Sequence, residues 1–282
     1  MFKITTFFGL PITYKSFVFN GGEVHVKIDD PTTVEQVDTS ITIEANITNS
    51  NQIMELALLV DAIRRINPKI AINLLCPYLP YARQDRVCDS GEALAVKVMA
   101  GMLNALNFDS IELWDVHSDV SMAVLDRVSN VGPENFLSIL ATNRNYTLVS
   151  PDAGAMKKVG KVAKKFNMEM LTASKIRDTR DGSITGTQIT LTESSKFKTF
   201  LIVDDICDGG RTFTELAKVI REQYRVITNG LEPRVELYVT HGIFSKGLKV
   251  LQDAGIDHVY TANLFPNVDT DGFEDYLTIV TK

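Results

Sequence analysis

The stretch Thr199–Thr212, TFLIVDDICDGGRT, constrains this chain most. Phe200-Leu201-Ile202-Val203 is a short apolar, partly β-branched run, which reads as a buried parallel strand. Asp204 and Asp205 close it, Asp208-Gly209-Gly210-Arg211-Thr212 forms a glycine-containing turn, and Phe213, Leu216, Ala217 and Ile220 begin a helical stripe. Strand, loop and helix start in that order present unpaired backbone N–H groups and a positive helix end to an anion. Two acids beside such a cradle can accept hydrogen bonds from sugar hydroxyls, so the expected ligand class is a sugar phosphate. An ordinary strand-to-helix turn whose acids face water fits the stretch alone equally well.

The remaining chain supplies more turns of this kind. Expected strands run over Lys3–Phe8, Phe17–Ile28 (broken by Asn20-Gly21-Gly22), Ser40–Ala45, Lys69–Leu75, Ser110–Trp114, Tyr146–Val149, Met168–Leu171, Thr187–Leu191, Val235–Thr240, Val259–Thr261 and Tyr276–Thr281. Expected helices cover Asn51–Ile66, Gly91–Leu106, Val131–Thr142, Met156–Phe166, Thr212–Gln223 and Ser245–Ala254. Alternating strands and helices imply right-handed βαβ units, so the fold class is α/β with mainly parallel sheets flanked by helices. The polar break Asn143-Arg144-Asn145 divides the chain into expected domains 1–143 and 144–282, with the extreme C-terminus able to pack back on the first.

Three loops are chemically loaded. Tyr78–Arg86 carries Arg83, Gln84 and Arg86 at a strand end, suited to a polyphosphate and a base edge, or else a solvated charge cluster. His117 follows Asp115 by two residues at the next strand end, a candidate for a metal or phosphate site. The segment 173–186, with Lys175 and Arg177, reads as a mobile basic excursion able to close over phosphates, or as a plain hairpin arm. The lysines of the helix over Met156–Phe166 (157, 158, 161, 164 and 165) read as a solvated face.

Composition excludes several classes. At 282 residues and 45% hydrophobic content the chain has ample core for one large or two ordinary domains. A net charge of −6 argues against a nucleic-acid partner. Cys76, Cys88 and Cys207 have neither zinc-site nor disulfide-framework spacing. With neither a signal segment nor an apolar run near the ~18 residues of a membrane span, no membrane partner is expected, and a cytoplasmic location is.

Taken together the motifs resemble one family. PYLPYARQDR (77–86), Asp115-Val116-His117, VSPDAG (149–154), Val203–Thr212 and THGIFS (240–245) appear in the order found in ribose-phosphate pyrophosphokinases. The resemblance implies two phosphoribosyltransferase-like α/β domains that transfer the β,γ-diphosphoryl group of ATP to the anomeric hydroxyl of ribose 5-phosphate, releasing AMP. By position, His117 and Asp152 would serve Mg²⁺; Arg83, Gln84 and Arg86 would hold ATP with His117, joined by Phe19 and Glu23 from a neighbouring subunit. Asp204 and Asp205 would bind the ribose hydroxyls, and Asp208, Gly209, Gly210, Arg211 and Thr212 the 5-phosphate. Lys175, Arg177 and Asp208 would be the catalytic set, the first two stabilising charge on the transferred group. A homo-oligomer, dimer or hexamer, is implied as well.

The chain departs from that family pattern in two places. The phosphate loop D-T-x-G-T reads Asp208-Gly209-Gly210-Arg211-Thr212, and the segment F-x-D-G-E reads Phe19-Asn20-Gly21-Gly22-Glu23. The added guanidinium raises a second expectation, a larger acceptor such as ADP-ribose. A type I phosphoribosyltransferase would share the 203–212 loop without the first half of the chain, and a non-catalytic regulator would have lost His117, Asp152, Lys175 or Arg177.

Overall fold

The computed structural model describes residues 1–142, 145–177, 184–191 and 193–282. The chain divides into two compact units, Met1–Val131 and Gly132–Lys282. The expected boundary at 143/144 lies outside the described residues. The turn Pro133–Asn135 packs with the second unit, where Lys165 Nζ donates to the Glu134 carbonyl at 2.7 Å.

The first unit runs β1 (Lys3–Thr6), β2 (Tyr14–Val18), β3 (Val24–Ile28), α1 (Pro31–Glu35), β4 (Ser40–Glu44), α2 (Ser50–Ile66), β5 (Ala71–Cys76), α3 (Ala95–Ala105), β6 (Ser110–Trp114), α4 (Asp119–Val124) and β7 (Val128–Val131). Among the described residues its main sheet has the order β1-β4-β5-β6-β7, parallel except for the antiparallel β1, while β2 and β3 form a separate hairpin. Helix α2 starts where Asn49 and Gln52 cap each other: Asn49 Oδ1 accepts from the Gln52 N–H at 3.2 Å, and Gln52 Oε1 from the Asn49 N–H at 3.3 Å. Its stripe Ile53, Leu56, Leu59, Val60 and Ile63 is buried in a core with Ile41, Ile43, Ile72 and Leu74 of the sheet.

The second unit continues with α5 (Ile139–Thr142), β8 (Tyr146–Ser150), α6 (Met156–Phe166), β9 (Met170–Thr172), β10 (Ser174–Arg177), β11 (Ile184–Gln188), β12 (Thr199–Cys207), α7 (Arg211–Thr228), β13 (Arg234–Gly242), α8 (Lys249–Asp253), β14 (His258–Leu264) and β15 (Leu277–Ile279). The sheet order β15-β14-β13-β12-β8-β9 is parallel at every pairing, and β10 and β11 form an antiparallel arm. Every residue of β8 is buried, as expected of a central strand covered on both faces. Along β12, Phe200 and Ile202 join a core with Phe213, Leu216 and Ile220 of α7, while Leu201 and Val203 alternate to the opposite face.

Several expectations are corrected. The helix expected over Val131–Thr142 is the end of strand β7, a turn at Pro133–Asn135 and only a short α5; Gly132-Pro133 cannot continue a helix, and Val128–Val131 pairs with β6 instead. Asp204 and Asp205 do not end their strand, since pairing with β13 carries β12 to Cys207. Gly91 and Gly247, at φ +96° and +76°, delay the helices expected from Gly91 and Ser245 until Ala95 and Lys249. The strand expected at Thr187–Leu191 lies earlier, at Ile184–Gln188, and part of segment 173–186 (178–183) lies outside the described residues. Among the described residues no helix is long and apolar enough to cross a membrane.

Candidate active site

In the second unit the strand order reverses between β8 and β12, the place where open α/β sheets bind ligands. The loop after β8 presents Asp152, whose Oδ1 accepts the Gly154 and Ala155 N–H groups at 2.9 and 3.2 Å. Its Oδ2 receives Lys175 Nζ from β10 at 2.7 Å. Burial pushes the Asp152 carboxyl up, but Lys175 and the two N–H groups outweigh it and hold the group below the ordinary carboxylate range.

Asp204 and Asp205 lie towards the C-terminal end of β12 on alternate faces. Asp205 is buried and its Oδ2 lies 3.0 Å from Lys158 Nζ of α6. Asp204 accepts the Asp205 N–H at 2.9 Å. Burial, with the charge of Asp205 next in weight, raises the Asp204 carboxyl well above its ordinary value. The two acids are therefore not equivalent.

The turn beyond them is braced from β13. Cys207 O accepts the Ile243 and Phe244 N–H groups at 2.9 and 3.0 Å, and Ser245 Oγ donates to Asp208 Oδ1 at 2.6 Å. Gly210 sits at φ +77°, and a Cβ there would lie 2.9 Å from Leu251 Cδ2, so glycine is required where the chain turns into α7. The first N–H groups of this 18-residue helix have no intrahelical acceptor. Beside them a cavity of about 270 Å³ is lined by Lys175, Thr187, Arg211, Thr212 and Glu215. The Arg211 guanidinium is exposed and bonds Glu215 Oε1 at 2.7 Å, one turn along the helix. Arg177 ends β10, and its side chain lies outside the described residues.

In the first unit, buried Leu79 and Ala82 anchor the arginine turn after β5, and the Gln84 carbonyl accepts the Val96 N–H at the start of α3. Arg83, Gln84 and Arg86 are exposed. Arg86 grips Asp85 through Nε and Nη2 at 2.9 and 3.2 Å. The Arg86 hydrogen bond, aided by Ser118 and the nearby His117, holds Asp85 below its ordinary value. The arginine turn and the His117 loop thus meet at the ends of adjacent parallel strands. Phe19 and Glu23 stand at the exposed tip of the β2–β3 hairpin, where Phe17, Phe19 and His25 cluster with edge-to-face and tilted rings.

Sequence reasoning missed Lys158, read as one of a solvated run, and the bracing Ser245. A signal existed for the first: a lysine in a helix's opening turn opposes the helix dipole and needs a nearby acid. Ser245 is 37 residues from Asp208, so only the parallel pairing of β12 with β13 brings it close.

Both halves of the chain match known proteins. Residues 3–106 match the family described as the N-terminal domain of ribose phosphate pyrophosphokinase, and residues 127–239 match the phosphoribosyl transferase domain. The chain belongs to the ribose-phosphate pyrophosphokinase family. The ribose-phosphate pyrophosphokinase of Mycoplasmopsis pulmonis is 29% identical over 257 residues, spanning 89% of this chain and 76% of that protein. That of Pyrococcus furiosus is 26% identical over 254 residues, spanning 88% and 84%. The crystal structure of phosphoribosylpyrophosphate synthetase from Mycobacterium smegmatis shares the fold, with a TM-score of 0.76 at 23% identity over 95% of this chain and 85% of that one. Within this pyrophosphokinase framework, Phe19, Glu23 and Arg83–Arg86 fall in the first matched region, and Asp152, Lys175 and Asp204–Thr212 in the second.

Proposed function

We propose that this pyrophosphokinase transfers the β,γ-diphosphoryl group of ATP to the anomeric hydroxyl of ribose 5-phosphate, giving phosphoribosyl diphosphate and AMP. The observation that carries the reading is the pairing, in one chain, of a pyrophosphokinase N-terminal region bearing the arginine turn with an acid-flanked phosphate loop at a sheet switch point. A phosphoribosyltransferase has no use for the first of these.

In this reading Arg83, Gln84, Arg86 and His117 hold ATP, with Phe19 and Glu23 of a neighbouring subunit, in a dimer or a hexamer of dimers. The backbone of Asp208–Thr212 and the start of α7 take the 5-phosphate, with the Arg211 side chain turning from Glu215 to reach it. Asp204 and Asp205 receive the ribose hydroxyls. Diphosphoryl transfer asks the protein chiefly for alignment and neutralisation of charge on the transferred oxygens, and Lys175 and Arg177 supply the second. Asp208, fixed by Ser245, keeps the loop in shape beside the anomeric hydroxyl.

Magnesium bound with the ATP phosphates supplies the further positive charge that such a transfer needs. The Asp152 carboxylate is the hard oxygen donor that this cation favours, and it would contribute one ligand to the ion. His117, on the ATP side, offers a nitrogen. The wider acceptor expected from Arg211 finds no support among the relatives, which are named for ribose phosphate.

The test is AMP release from ATP by the purified protein. Release that requires both Mg²⁺ and ribose 5-phosphate is expected. Consumption of phosphoribosyl diphosphate with release of diphosphate would show a transferase, and neither reaction would show a regulator.

A further inference from the structure

Helix α6 begins at Met156, so Lys157 and Lys158 occupy its first turn, with no acid there to balance them. Cations at that end of a helix lie against the positive end of its dipole and are disfavoured. Lys158 is nevertheless turned inward: its side chain is 23% exposed, and its Nζ is 3.0 Å from Oδ2 of an Asp205 side chain that is 8% exposed. A half-buried lysine set against its own helix dipole is retained for its partner. That partner stands at the C-terminal end of β12, three residues before the phosphate turn, on the face opposite the α7 core.

The charges around the strand end sharpen the point. Three carboxylates, Asp152, Asp204 and Asp205, crowd the reversal between β8 and β12, and two ammonium groups meet them. Lys175 of β10 meets Asp152 and Lys158 of α6 meets Asp205. Without Lys158, the buried Asp205 carboxylate would lose the ammonium that meets it, while its neighbour Asp204 adds a second negative charge one residue away. A hydroxyl acceptor must be held to about half an ångström by a supporting group to discriminate a sugar.

We infer that Lys158 is a positioning residue for the sugar phosphate: its ion pair locks the Asp205 carboxylate in the orientation that receives the ribose hydroxyls. The inference rests on the reading of the site as a ribose-phosphate pyrophosphokinase. Acting through Asp205, Lys158 would set acceptor affinity and leave ATP binding alone.

The experiment compares the wild type with Lys158→Met, Lys158→Arg, Asp205→Asn and the double variant Lys158→Met/Asp205→Asn, measuring KM for each substrate, kcat and Tm. AMP release by the wild type with ribose 5-phosphate establishes the underlying reading, and its absence would defeat that reading rather than this inference. Lys158→Met should raise KM for ribose 5-phosphate at least fivefold with KM for ATP within twofold, and Lys158→Arg should restore most of the loss. The double variant, which removes both charges together and so leaves no buried charge unpaired, should be no worse in KM than Asp205→Asn alone. A rise below fivefold, an equal rise for ATP, failure of arginine to rescue, or additive losses in the double variant would each overturn the inference. Where Lys158→Met lowers Tm too far for assay, the arginine and double variants decide on the same criteria.

Discussion

Lys175 Nζ lies 2.7 Å from Oδ2 of Asp152, which joins the β10–β11 arm to the loop at the end of β8. A single ion pair therefore connects the segment expected to neutralise the transferred group with the carboxylate expected to meet the metal. Both side chains are about a third exposed, so the contact can be exchanged when substrates arrive.

The first prediction concerns that arm. Lys175→Met should lower kcat by about 10²–10³-fold, the cost of losing one charged donor to the transition state. Arg177→Ala should lower it by about 10³-fold. KM for ATP should change little in either variant, and AMP release under saturating substrates is the measurement. Near-normal turnover in both would remove the arm from the chemistry.

Asp204 gives a pH-dependent prediction. Its folded-state value is raised by burial and by Asp205, whereas the unfolded chain titrates near ~3.9. Above that pH the unfolded state sheds its proton first, so stability falls as pH rises until the folded group ionises too. Asp204→Asn removes this burden. Its Tm should exceed that of the wild type by about 2–4 °C at pH 7 and match it near pH 4, at the expense of ribose 5-phosphate affinity. A Tm difference independent of pH would refute the assignment.

Gly210 sets the turn into α7. Alanine at φ +77° costs about 1–2 kcal/mol of backbone strain, before any movement of Leu251 2.9 Å from the new Cβ. Gly210→Ala should therefore lower Tm and raise KM for ribose 5-phosphate, since the loop cannot keep its shape. Thermal denaturation and initial rates measure the two effects.

Tyr14 tests the first unit. Its hydroxyl accepts the Phe2 N–H at 2.6 Å and donates to Glu55 Oε1 at 2.8 Å, with both side chains buried. Tyr14→Phe leaves Glu55 without that donor and should cost about 1–3 kcal/mol. Trp114, the single tryptophan of the chain, lies in the same unit and reports its unfolding in urea. An unchanged midpoint would mean that the hydrogen bond contributes nothing net.

Much of this protein was legible in its sequence because the signals are local. Alternation and helical spacing give β6 and α6 at their observed bounds, since five apolar-patterned residues or three helical turns declare themselves without help. The glycines and acids of the 204–212 turn, and the arginines of 83–86, are local in the same sense. Family likeness then attached chemistry to them.

Tertiary structure alone decided the remainder. No local pattern tells Asp204 from Asp205; the packing of α6 against β12 pairs one with Lys158 and leaves the other half-buried beside it. Nor could the spacing of Val131–Thr142 reveal that Val128–Val131 would pair with β6, because strand pairing depends on a partner's free edge. The sequence determines which residues can bind an anion or a sugar, since backbone freedom and side-chain charge belong to each residue. Which of those groups carry charge, and in what orientation, belongs to the fold, because burial and neighbours from distant parts of the chain set the field at each one.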